Sequence, residues 1–238
     1  MYEFNWSFLW KYRSFFSEGV LWTLAIAAIA VLIGIVLGTV LALMRLSRFK
    51  ALRFLSVAYV EFIRGTPVMV QIYIIFYGMP LFLGIDGAPR FVAGSIAMGL
   101  NSAAYVAEII RGGIQAVDRG QTEAARSLGM GTSLTMIDII LPQAIRTILP
   151  ALGNEFVIVI KESSVVSIIG VTELMYKTKT VMGNSYRQFE PLIVASIIYF
   201  ILTFTLSKLL GLAERRMNVG YSDTKAANEQ VSEMRDSI

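Results

Sequence analysis

Val20 to Met44 is an unbroken run of 25 residues with no charged side chain, closed by Arg45, Arg48 and Lys50. About 20 apolar residues in helical form cross a hydrocarbon core, where only a helix or a closed barrel satisfies its own backbone polar groups. That run commits the chain to lipid, and others follow it. Gly65 to Ile85 is a second uncharged stretch, Phe91 to Ala107 a third, and Pro191 to Ser207 a last one, extended to Ala213 if Lys208 reaches back to the interface. Thr147 to Gly170 is apolar overall but contains Asn154, Glu155, Lys161 and Glu162, so it crosses only if those groups face protein or a cavity. The chain is 55% hydrophobic and 16% charged, where soluble domains carry about 25% charged residues. The expected fold is an all-α integral membrane protein of about five transmembrane helices.

Five spans put the termini on opposite sides, and Lys and Arg choose the orientation. With the C-terminus inside, the inner segments hold twelve of these cations and the outer segments seven, so N-out and C-in is expected. The outer cations lie largely in 161–190, which makes that stretch the weak point of the count. Leu52, Leu55, Tyr59 and Phe62 recur at helical spacing and predict an interfacial helix leading into the second span. At the N-terminus, Trp6, Phe8, Trp10, Tyr12 and Phe15 predict an interfacial anchor, and the order of features in a signal peptide is missing. Residues 219–238 are polar and are expected to form a flexible tail.

The chain has no Cys and no His, which removes thiol nucleophiles, imidazole bases and every metal site built on them. No run of five like charges offers an arm for nucleic acid, despite a net charge of +4. A G-x-x-x-x-G-K-[ST] loop is absent, because Gly129-Met-Gly131-Thr lacks the Lys and follows no strand. If ATP is used, another chain hydrolyses it. No paired-carboxylate motif supports a membrane enzyme.

On this topology residues 112–146 form an inner segment too long for a mere turn. Asp118 predicts an N-cap, with Gln121 in the capping-box position and Glu123 in the first turn, where the helix dipole favours an acid. Ala124, Ala125 and Leu128 give a short helix with a small-residue face. Gly129 and Gly131 supply positive-φ positions that end it, Thr132 or Ser133 caps a second helix, and Pro142 stops that one. Two readings fit such a pair of short helices. One is an amphipathic hairpin on the lipid surface; the other is a helix that enters a pocket on another protein. The first helix lacks the bulky anchors and basic face that lipid binding uses.

Glu123-Ala124-Ala125, then Gly129, then Ile140-Leu141-Pro142 resemble the EAA motif of the membrane subunits of ABC importers. The stretches Glu61-Phe-Ile-Arg64-Gly-Thr-Pro67, Ser102-Ala-Ala-Tyr105-Val-Ala-Glu108-Ile-Ile-Arg111, Pro150-Ala-Leu-Gly-Asn154-Glu155-Phe and Lys161-Glu162-Ser-Ser are similar to the polar amino acid uptake branch, the histidine, glutamine and arginine permeases. The resemblance runs from about Val20 to Arg216 and is specific only when these motifs are taken together. It implies a type I importer permease fold, with residues 1–218 as the transmembrane domain and the EAA loop at about 112–146. It also implies a second permease subunit, a dimer of ATP-binding cassette ATPases that holds ATP and Mg, and an extracytoplasmic amino acid binding protein. No cofactor is then held by this chain. The coupling residues would be Glu123, Ala124, Ala125, Arg126, Ser127, Leu128 and Gly129. A stand-alone secondary transporter or channel is the alternative, although an odd span count and no internal repeat fit a subunit that needs partners.

Polar groups inside spans are costly and point to a function or a partner. Asn101, Tyr105 and Glu108 share one helix face, with Ser102 beside them. Asn154 and Glu155 lie mid-way along their apolar stretch. The functional reading is a cavity for a polar amino acid, with a lean toward a basic one: Glu155 takes an ammonium or guanidinium, and Asn101, Ser102, Tyr105 and Asn154 complete the site. Lys161 and Glu162 line or gate its outer mouth. The competing reading pairs Glu155 with a cation of a neighbouring helix and makes it a packing residue. For Glu108 and Arg111 an interfacial ion pair is expected, and for Arg64 a place at the inner interface. Gln71 faces either a subunit interface or the substrate. Gly34 and Gly38 form a GxxxG that reads as close helix packing.

Overall fold

The charge-free run lies inside a helix longer than a membrane is thick. In the computed structural model, which describes residue 4 and residues 6–215 in full, α1 (Phe8–Leu46) has 39 residues, about 58 Å at 1.5 Å per residue. Its N-terminal turns carry Phe8, Tyr12 and Phe16 at a spacing of four, and these rings bury against Leu174 and Val181. The expected aromatic anchor is therefore divided. Phe8 and Tyr12 pack on protein, while Trp10, 75% exposed, is left for an interface.

α4 (Arg90–Gln115) runs parallel to α1 along a seam of small residues. A Cβ on Gly34 would stand 2.7 Å from Ser102 Oγ, one on Gly38 2.7 Å from Val106, and one on Gly99 2.7 Å from Ile33. The GxxxG of α1 thus works within the chain, allowing backbone approach that any side chain would block. Ile26, Ala30, Ile72, Met98, Val159 and Ile160 form the adjoining core.

α2 (Lys50–Gly65) and α3 (Val68–Leu83) meet at 109° across Thr66 and Pro67. The sequence-predicted stripe on α2 faces outward: Leu52, Leu55 and Phe62 are exposed, and Ser56, Val60 and Ile63 are buried. Pro67 lacks an N–H and ends the first helix. The carbonyls freed there are taken by Gln71, whose Nε2 donates to Ile63 O at 2.7 Å and Thr66 O at 3.0 Å.

α5 (Arg119–Ser127) follows α4, and after it α6 (Thr132–Leu134) winds through a π-helical stretch, Thr135–Ile140, straight into α7 (Leu141–Glu162). This corrects the expected second short helix stopped by Pro142. The proline stands in the first turn of α7, and the Leu141 N–H donates to Met136 O, five residues back. A proline ring offers no N–H to the carbonyl four residues earlier and crowds it, and a wider turn relieves both problems.

α7 runs antiparallel to α4, with Gly113 against Ile148, and its other side meets α9 (Phe189–Asp236), where Gly153 faces Leu210. α1, α4 and Phe189–Arg215 are each long and apolar enough to cross a membrane, and the bent pair α2–α3 makes a fourth such unit. α7 is diluted by its polar residues: Glu155, 5% exposed, is turned toward protein, while Asn154 and Lys161 stand exposed, so by length and composition the described residues hold three spans, or four with the bent pair, where about five were expected.

Between α7 and α9 the chain makes a 3-10 segment, Ser163–Ile169, turns at Gly170 with φ +82°, and forms α8 (Leu174–Ser185). Glu173 caps α8 by accepting from the Met175 and Tyr176 N–H groups at 2.8 and 2.7 Å. α8 lies on the N-terminal end of α1, where Lys177 pairs with Glu18 at 2.8 Å. The lysine's hydrogen bond holds the Glu18 carboxyl below the usual carboxylate range. The cations that skewed the charge count thus belong to a folded cap. The tail expected at 219–238 lies outside the fully described residues.

Candidate functional site

Two features stand out, one on the surface and one within the helices. The surface feature is α5. Asp118 caps it through Oδ1, which accepts from Gly120 N at 2.7 Å, as its sequence position predicts. Gly129 adopts φ +83° with open space where a Cβ would stand, so the glycine is required by the backbone path and not by crowding. Met130 N donates to Ala125 O at 3.1 Å and closes the C-terminal turn. Other details differ from the sequence reading. Gly131 has φ −66° and is itself the extended N-cap of α6, so neither Thr132 nor Ser133 caps by its side chain. Glu123 is the fifth residue of α5 and not in its first turn. Gln121 turns toward Gln143, 3.5 Å away, instead of completing a capping box.

The faces of α5 are sharply different. Ala125 is 4% exposed, whereas Leu128 is 84% exposed, and Glu123, Ala124 and Ser127 stand out with it. Arg126 is spent within the loop, its Nη1 donating to Thr132 Oγ1 at 3.0 Å. α5 thus presents an apolar residue among small neighbours on a capped turn.

The second feature is a cavity of about 360 Å³ lined by Arg64, Tyr105, Glu108, Ile109, Ala151, Asn154, Glu155 and Ile158. It lies where α4 and α7 pass each other beneath the end of α2. Of the residues expected around a substrate, Tyr105, Asn154 and Glu155 line it. Asn101 and Ser102 stand behind the lining: Asn101 Nδ2 donates to Gln71 Oε1 at 2.9 Å, and Ser102 Oγ donates to Glu155 Oε1 at 2.9 Å. Lys161 and Glu162 are apart from it, at the last turn of α7. Gln71 is resolved by this arrangement, because it faces neither interface nor cavity but locks the α2–α3 bend.

At one end of the cavity Glu108 collects three guanidiniums. Arg111 binds it through Nη2 at 2.6 Å and Nε at 3.2 Å, Arg45 of α1 makes a direct ion pair, and Arg64 Nη1 lies 3.7 Å from Oε2. The expected Glu108–Arg111 pair is thus part of a larger knot that joins α1, α2 and α4. Glu155 has no such partner; among the described residues its ion pair with a neighbouring helix is not formed, and Ser102 is its bonded neighbour.

Over residues 30–219 the sequence matches a protein family described as the binding-protein-dependent transport system inner membrane component. The chain belongs to that family. The putative glutamine transport system permease protein GlnP of Rickettsia bellii is 43% identical over 205 residues, which is 86% of this chain and 94% of that protein. The arginine transport system permease protein ArtQ of Bacillus subtilis is 40% identical over 203 residues, 85% of this chain and 92% of that one. Among solved structures, an amino acid ABC transporter crystallised with histidines aligns with TM-score 0.86 at 47% identity, covering 90% of this chain and 100% of that chain. The inward-facing methionine transporter MetNI, at 16% identity and TM-score 0.74, shares the fold.

The permease subunit is an integral membrane protein with the type I ABC importer fold, a transporting component and not an enzyme. Its family implies ATPase and permease partners. Among the described residues no cluster of acids could hold a metal ion. Arg64, expected at the inner interface, stands beside Glu108 and also lines the cavity, which the sequence did not foresee. Its signal was its position one residue before the break Gly65-Thr66-Pro67, where a helix ends and the last side chain projects past it.

Proposed function

We propose that the permease subunit moves a polar L-amino acid across the cytoplasmic membrane by alternating access, driven by partner ATPases that bind ATP and Mg on its inner face. A second permease subunit stands beside it, and an extracytoplasmic binding protein delivers the substrate. Leu128 and Ala124, with Glu123 and Ser127 around them, enter a groove on the ATPase. Ala125 seats the helix on the protein, and Arg126 and Gly129 hold its turn. Within the membrane Tyr105, Asn154 and Glu155 touch the substrate, while Asn101 and Ser102 act one step back, on Gln71 and Glu155. Lys161 and Glu162, at the far end of the helix that carries Glu155, gate the outer mouth.

One observation carries this reading: a buried carboxylate without a cation partner among the described residues lines a cavity, in a chain that also holds the exposed Leu128 at the end of a capped surface helix. An unpaired buried acid is expensive unless a cation visits it. The names of the relatives support an amino acid as that visitor. Reconstitution in proteoliposomes with the ATPase and binding protein tests the proposal by uptake of labelled amino acids. Glu123→Lys and Gly129→Val are expected to leave the ATPase turning over while uptake falls. Full uptake in both variants would mean that α5 merely lies on lipid, and uptake without ATPase would establish a stand-alone transporter.

A further inference from the structure

Four cations crowd the corner where α1 ends and α2 begins: Arg45, Arg48, Lys50 and Arg53 lie within nine residues. Arg45 turns inward to Glu108 and is taken up there. The other three are exposed, and among the described residues none of them forms an ion pair. The first acid along α2 is Glu61, eight residues past Arg53 and about 12 Å away along the helix. Nor do the cations serve the helix that carries two of them. Lys50 and Arg53 stand at its start with no acid beside them, where the helix dipole opposes positive charge. The described residues leave this charge without a partner.

The surface beside it is apolar. Phe49 is 74% exposed and Phe54 70%, and Leu52, Leu55 and Phe62 are exposed with them. At about 100° per residue, Leu55 and Phe62 fall within about 20° of each other around α2, Phe54 comes next, and Lys50 and Arg53 follow on its far side. The remaining side is fixed to protein: Ser56 Oγ donates to Leu41 O at 2.7 Å, and Val60 and Ile63 bury with Ala104 and Ala107. α2 thus shows an outward surface divided between apolar residues and cations. Its depth fits that division. Arg48 stands four residues past the charge-free run, so the corner lies at the inner end of the first span. α2 then meets α3 at 109°, turning across the span instead of continuing it.

A helix lying at an interface, with apolar residues beside cations, matches a leaflet in which negative phosphates stand over acyl chains. We propose that this corner binds an anionic phospholipid of the inner leaflet, its phosphate held by Arg48, Lys50 and Arg53 and its chains lying along Phe54, Leu55 and Phe62. Lipid is favoured over a protein groove by the approach to the corner. Exposed Val36, Val40 and Leu43 carry an apolar strip down α1 to it, and that strip belongs to the charge-free run. The headgroup relieves repulsion among three neighbouring cations. It thereby steadies the turn that follows Arg45, the residue tying α1 to Glu108 on the cavity wall. The site is independent of which solute the protein moves.

The test uses the complete complex of permease and ATPase, with phosphatidylglycerol and phosphatidylcholine of the same acyl chains as probes. Retention of each lipid is read by native mass spectrometry, and the melting temperature is read in nanodiscs of each. A preference of about tenfold for phosphatidylglycerol is expected at low salt, weakening as ionic strength rises. Arg48→Gln, Lys50→Gln and Arg53→Gln combined should abolish it, whereas Arg48→Lys with Arg53→Lys should keep it, since positive charge is what the phosphate requires. The unaltered complex should melt higher in phosphatidylglycerol, and the triple variant at the same temperature in both lipids. Equal retention of the two lipids by the unaltered complex overturns the inference, whether or not the triple variant assembles. A preference that survives in the triple variant overturns it too, and loss of the ATPase from that variant would then assign the corner to a protein partner. Displacement of phosphatidylglycerol by inorganic phosphate or glycerol 3-phosphate at equal concentration would mean that the corner holds a free anion and not a lipid.

Discussion

Glu108 and Glu155 are both acids on helices that face the same cavity, yet one has three guanidiniums around it and the other has a hydroxyl. Removing charge from water is costly in either place. Glu108 meets the cost with permanent partners from α1, α2 and α4, which makes it a fastener of the bundle. Glu155 keeps its position with a single neutral hydrogen bond, and on the proposed function its charge is left for the substrate.

Substitutions at the two acids should separate these roles cleanly. Glu108→Ala strands Arg45 and Arg111 and is expected to have the largest effect, about 3 kcal/mol, seen as a lower melting temperature and loss of monodisperse protein. Glu155→Gln should leave the melting temperature nearly unchanged while substrate preference shifts; a collapse in stability instead would erase the distinction and make Glu155 a packing residue. Arg111→Ala removes one of the two strong partners of Glu108 and should cost about 1 kcal/mol, because the side chain is partly in solvent and Arg45 remains. Arg64→Ala should be the mildest, within about 0.5 kcal/mol. A stability loss there as large as for Arg111 would show that Arg64 is structural and not surplus to Glu108.

The sequence pattern contained the spans because charge-free runs of sufficient length have few other fates. Val20–Met44 is found inside α1, and Phe91–Ala107 inside α4. Gly129 was legible because it occupies a positive-φ turn that only a glycine takes easily. What escaped was decided by partners distant in the chain. The aromatics of the N-terminus looked like an interface anchor because nothing local tells them of Leu174 and Val181. Asn101 and Ser102 looked like ligands of a substrate because Gln71 and Glu155 lie 30 and 53 residues further away in sequence. Pro142 looked like a stop, since the adjustment that accommodates it is a change of winding and not of direction. Arg64 needed a count of charges in space, which positions along the chain do not supply.

The π-helical passage from α6 into α7 makes one unbroken rod from Thr132 to Glu162, more than about 40 Å long. Its start rests against α5, and Asn154 and Glu155 lie in its last third, beyond the interior Pro150. On the proposed coupling role of α5, a push at Leu128 would cross only the 129–131 turn before entering this rod, and a tilt of the rod would move the acid on the cavity wall.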